Sequence, residues 1–159
     1  MKELIRGIAC SICEALSEKP SPVTDTVEIT REQYIVEMRK AGIGPISLAT
    51  PLDSTLTLTS KAELDRIAPE LVYPASWYVE GIEDCEQYGM RAELDAAHNF
   101  RVNGVKLGLG YMPLGYHGFA ITMDKTHKIW WLEPNAGFSW AGVWHKIGYA
   151  DYHPDKVFV

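Results

Sequence analysis

Residues 105–132 constrain the chain more than any other stretch. Val105, Leu107 and Leu109 fall at every second position, and Phe119, Ile121 and Met123 do the same. That is the period of a strand with one buried face. Asp124-Lys125-Thr126-His127 interrupts the alternation with turn-forming residues, and Ile129-Trp130-Trp131-Leu132 resumes it as a returning strand. The stretch therefore predicts an antiparallel hairpin. The remainder, with Trp140, Trp144, Tyr149 and Tyr152, reads as further strand and loop.

Before Phe100 the periodicity is helical. Ile5, Ile8, Ala9, Ile12, Cys13 and Leu16 form one apolar stripe, ended by the linker Lys19-Pro20-Ser21-Pro22. Thr30 with Gln33 is a capping box for a second helix that Gly42, Gly44 and Pro45 stop. Residues 46–59 alternate weakly, most clearly at Leu56-Thr57-Leu58-Thr59, and predict a strand. Ser60 and Glu63 cap a short helix that Pro69 ends. A third helix starts near Asp84, with Cys85, Tyr88, Gly89, Ala92 and Ala96 on one face. Helices first and a sheet afterwards predict an α+β fold, N-terminal helices packed on an antiparallel sheet.

A chain of 159 residues fits a single domain over 1–159, with 1–22 as helix and linker and 60–145 as a catalytic core. The net charge of −6 argues against nucleic acid or an anionic membrane as partner, because phosphate neutralisation needs clustered Lys and Arg. No apolar run approaches the ~20 residues of a membrane span. Three cysteines, an odd number, point to reduced thiols and a cytoplasmic protein rather than a disulfide framework. Lys2 and Arg6 before an apolar stretch imitate a signal peptide, but Glu3 and Glu14 interrupt it. Oligomeric state has no signature here.

Three residues stand where nucleophilic chemistry needs them. Cys85 opens the third helix, where the helix dipole favours a thiolate. Three acidic neighbours, Glu83, Asp84 and Glu86, oppose it, so an imidazolium partner is required. His117 opens the strand His117–Met123 and can face the helix start, with Gly118 allowing close approach. The turn at 124–127 sets position 133 or 134 opposite 117 or 118, so Glu133 can hold the imidazole in one tautomer. Thiol, imidazole and carboxylate form the logic of an activated nucleophile.

The local words resemble a known group. Tyr78–Tyr88 (YVEGIEDCEQY), HGFAI from His117 and WWLEPNAG from Trp130 are similar to the nucleophile helix and two strands of the papain-like and transglutaminase-like cysteine peptidase superfamily, especially its small bacterial and phage members. The same Cys–His–Glu order occurs in the protease domain of a mushroom agglutinin. The resemblance covers about residues 70–140, under half of the chain. It implies a papain-like core, a peptide or amide substrate, and hydrolysis through a Cys85–His117–Glu133 triad, with acyl transfer as a variant. Calcium enters only by analogy with the agglutinin; otherwise no cofactor and no metal is expected. Papain carries an oxyanion-hole Gln before its Cys, and residues 73–78 hold none. Trp77, Tyr78 and Asn135 are the candidate substrate-binding residues.

Blander readings stand beside these. Cys85 alone is more often a small buried hydrophobe. Cys10 and Cys13 form a CxxC without a redox or zinc context, and helix packing accounts for them. His98, His127, His145 and His153 lack ligand spacing. The alternative function is a non-catalytic binding or phage virion-associated module on the same fold.

Overall fold

Thr30 and Ser60 start helices because each side-chain hydroxyl accepts the backbone N–H three residues on, Gln33 and Glu63 respectively. Gln33 returns the bond to the Thr30 N–H, completing the capping box. The computed structural model describes residues 20–46 and 53–159. The helix expected at 5–16, with Cys10 and Cys13, lies outside the described residues. Among the described residues there are three helices, α1 (Arg31–Lys40), α2 (Lys61–Ile67) and α3 (Cys85–Phe100). The strands are β1 (Thr26–Thr30), β2 (Gly44–Ile46), β3 (Thr55–Thr59), β4 (Lys106–Met112), β5 (Gly115–Met123), β6 (Ile129–Leu132), β7 (Trp144–His145) and β8 (His153–Phe158).

β1 and β3 pair with each other, while the other strands form a six-stranded sheet in the order β2-β8-β4-β5-β6-β7. Two expectations are corrected here. Strands alternate with the helices in the first half, so the order is not helices first. The large sheet is mixed, because β2 runs parallel to β8 while its other pairs are antiparallel. The physical reason is that β1 buries only Ile29 and β2 is three residues long, so neither shows an apolar alternation. Pro45, read as a helix stop, is tolerated because β2 lies at the sheet edge.

The hairpin expected from the apolar alternation is present. β5 and β6 pair as Ala120↔Leu132, Ile121↔Trp131, Thr122↔Trp130 and Met123↔Ile129. Its parity splits the core into two layers. On one face Ala120 and Leu132 meet Tyr88, Ala92, Ala96 and Phe100 of α3, together with Leu64, Ile67 and Trp144. On the other face Phe119, Ile121, Met123 and Trp131 meet Tyr34 and Met38 of α1, with Leu56, Leu58, Tyr152 and Val157. Trp144 ties the first layer to α2 by donating its indole N–H to the Leu64 carbonyl. No helix among the described residues is long and apolar enough to cross a membrane.

Candidate functional site

The first turn of α3 lies directly on β5 because Gly118 has no Cβ. A methyl group there would sit 3.0 Å from the backbone carbonyl of Cys85 and from Glu86 Cα, tighter than ordinary contact. Glycine therefore sets the distance between the helix start and the strand that carries His117. Cys85 is the first residue of the helix, with Asp84 as its N-cap and the Gln87 side chain accepting the Asp84 N–H at 3.2 Å.

His117 and Glu133 meet. His117 Nε2 lies 2.7 Å from Glu133 Oε2. The observed register, extended by one pair, sets Glu133 opposite Phe119 rather than opposite His117. His117 is its diagonal neighbour on the same face, a separation long polar side chains can bridge. Glu133 is 1% exposed and fully partnered. It also accepts the Tyr152 hydroxyl at 2.8 Å and the Asn135 N–H at 3.0 Å. Tyr152 is held by stacking on Trp131, with ring centroids 3.8 Å apart. Burial works to lower the His117 pKa. Hydrogen bonding to Cys85 and Glu133 and the negative charge of Glu133 outweigh it, and the value is pushed up to about 9. His117 is an imidazolium at neutral pH.

Around Cys85 the acids dominate. Its thiol donates to Glu86 Oε2 at 3.1 Å. The Asp84 carboxyl is held above its usual range, first by its hydrogen bond to Glu86 and then by burial. Glu86 is held below its range by the same bond and by the Cys85 thiol. Asp84, Cys85 and Glu86 bring three ligand-type atoms within 4.8 Å of one another. They do not fit calcium, which takes six to eight oxygen ligands; here one of three atoms is sulfur, and the Cys85 and Glu86 atoms bond each other.

The remaining candidates edge this cluster. A bridge between Tyr73 and Asn135 docks residues 73–78 beside Glu133. Asn135 is buried, and its Oδ1 accepts the Gly137 N–H at 2.8 Å. Trp77 is 45% exposed, stacks on Tyr73 and lies under the Arg91 guanidinium at 5.2 Å. Tyr78 is 46% exposed, and its phenol pKa is raised by burial and by the neighbouring acidic groups of Asp84, Glu80 and Glu86. Phe138 packs on His117 at 5.5 Å. Tyr152 and Phe138 were missed by sequence reasoning. Tyr152 is 19 residues from its carboxylate partner, and no periodicity links the two.

No family model matches the chain, and no curated protein matches it. Two solved structures share the fold. One is described as "PSL1a-E64 complex", with TM-score 0.59 and 13% identity over 83% of this chain and 51% of the other. The second is a Polyporus squamosus lectin bound to the human-type influenza-binding epitope Neu5Aca2-6Galb1-4GlcNAc, with TM-score 0.56 and 17% identity over 83% of this chain and 49% of the other. The chain spans about half the length of each.

These neighbours correct three expectations. Membership of the papain-like or transglutaminase-like peptidases, in bacterial, phage or agglutinin form, has no family-level match, and the second neighbour is described as a lectin. The cysteine-hydrolase expectation is likewise corrected, since the second neighbour is described as a lectin. In this chain the Cys85 thiol donates to Glu86. The peptide or amide substrate is also withdrawn as partner, since the second neighbour is described as bound to a glycan epitope.

Proposed function

We propose that this domain is a non-catalytic binding module whose ligand is a carbohydrate, taken at the surface around the start of α3. The observation that carries it is the pairing of exposed aromatic faces with fixed polar groups. Tyr78 presents a half-exposed ring near Cys85 and Glu86, Glu86 lies near His117, and Trp77, next to Tyr78 in the chain, stacks its half-exposed ring on Tyr73. Sugars are recognised by that combination, because C–H groups of the ring stack on aromatic faces while hydroxyls need donors and acceptors. Glu86 supplies an acceptor, and the His117 imidazolium, bonded to Glu133 and Cys85, supplies a positive charge behind it. Glu133, Tyr152 and Asn135 lie behind them and hold His117 in place rather than meeting the ligand. A lectin among the neighbours of this fold supports the ligand class.

The test is a titration of isotope-labelled protein with N-acetyllactosamine, read at the Trp77 indole N–H, alongside the iodoacetamide alkylation rate of Cys85. The expected result is a saturable Trp77 shift that Tyr78→Ala weakens about tenfold, consistent with the loss of one central aromatic contact, and an alkylation rate no faster than that of a free thiol. Accumulation of a Cys85 acyl-enzyme from a peptide or amide would overturn the proposal, as would the absence of any sugar-dependent shift.

A further inference from the structure

At the far end of the β5–β6 hairpin lies a hollow of about 360 Å³, lined by His127, Lys128 and Lys146 with Ile129, Trp130 and Ile147. The last turn of α1, which carries Arg39 and Lys40, closes one side at Ala41. A cavity of that size suits one small ring-bearing ligand. None of the residues lining it is acidic, in a chain whose net charge is −6. The carboxylates nearby are already engaged. Asp124 accepts the Thr126 and Lys128 N–H groups and the Trp130 indole, and Glu37 is paired to Lys40 at 2.7 Å. Lys61, paired to Asp65, lies 4.6 Å from the Trp130 ring centroid outside the hollow.

The turn itself carries a second mark. His127 has φ +64°, in the left-handed region that hairpins of this kind fill with glycine. The bonds of Asp124 to Thr126, His127 and Lys128 hold it there. A side chain is thus kept, at a backbone cost, where the simplest turn has none.

We propose that this basic hollow binds a single carboxylate or sulfate group carried on a sugar ring. The ring rests on Ile129, Ile147 and Trp130, and the anion is met by Lys128, Lys146 and His127. The sugar as carrier rests on the function proposed above, while the preference for an anion stands on the lining alone.

The test is a titration of the full chain with galactose, galacturonic acid and galactose 6-sulfate, read at the Trp130 indole N–H and the His127 and Lys128 amides. Both acidic sugars shift these signals and galactose does not, and about 0.5 M salt abolishes the effect. Combining Lys128→Ala with Lys146→Ala weakens the acids about tenfold or more, as expected for two exposed charges acting together. His127→Gly relieves the backbone, so it folds, and still weakens binding. Equal shifts from galactose, or an unchanged affinity in the double variant, overturn the proposal. Galactose shifts at Trp77 with silence at Trp130 overturn it while leaving the function proposed at the start of α3 standing. Acid-dependent shifts at Trp130 with silence at Trp77 do the reverse.

Discussion

Glu133 answers three donors at once and is buried, so its loss is felt at His117 before anywhere else. Glu133→Gln removes the charge that helps hold the imidazolium. The His117 pKa, followed by NMR titration, falls from about 9 towards or below the ordinary imidazole value of 6.5. Stability falls by roughly 3 kcal/mol in denaturant unfolding, the scale for breaking one partner of a buried pair. The sign of the pH dependence follows from the raised folded value. The stabilisation is complete below about 6.5, where His117 is protonated folded and unfolded. It is lost as pH rises through about 9, where the folded form gives up its proton. Unfolding free energy measured between pH 6 and 10 therefore drops by about 3 kcal/mol at most from this group, and the drop disappears in His117→Gln.

Elements meet where backbone, not side chain, sets the spacing. Gly118→Ala introduces a methyl group 3.0 Å from backbone atoms of Cys85 and Glu86, neither of which can rotate away. The helix must shift, at a cost of about 1–3 kcal/mol by thermal or chemical unfolding. The same shift separates Cys85 from His117 and lowers the His117 pKa, which a purely local strain would not do. At α1, Thr30→Ala loses the cap to Gln33 and costs ~1 kcal/mol without moving the His117 titration, since the groups that shift His117 are Cys85 and Glu133, neither of them on α1. The capping boxes and the hairpin were readable because they are local. β1 and β2 were not, because their partners lie elsewhere in the chain: Pro45 pairs with Val157, and Ile29 with Leu56.

Across the whole molecule the site is the visible end of the core behind it. Trp131 is fully buried and stacks on Tyr152, whose hydroxyl holds Glu133, which holds His117. Trp131→Leu leaves a cavity and costs about 3 kcal/mol or more. It also releases Tyr152, so the His117 pKa drops although no residue touching the imidazole has changed. An unaltered titration in a folded Trp131→Leu protein would show that Tyr152 is positioned independently of the stack.

The sequence by itself determined the helix starts at Thr30, Ser60 and Asp84, the β5–β6 hairpin, and the candidacy of Cys85, His117 and Glu133. Each depends on capping chemistry or period within about ten residues, where backbone geometry alone decides what can pair. It could not determine that Tyr152 completes the Glu133 cluster, that β2 joins β8 in parallel, or that His127 and Lys146 share a hollow with Lys128. Those depend on segments distant along the chain being brought together by burial of Trp131, Tyr152 and Val157. The orientation of the thiol also belongs to the tertiary structure. The acidic neighbours were visible in the sequence, but only the packing of α3 on Gly118 placed Cys85 with Glu86 on one side and the imidazolium on the other.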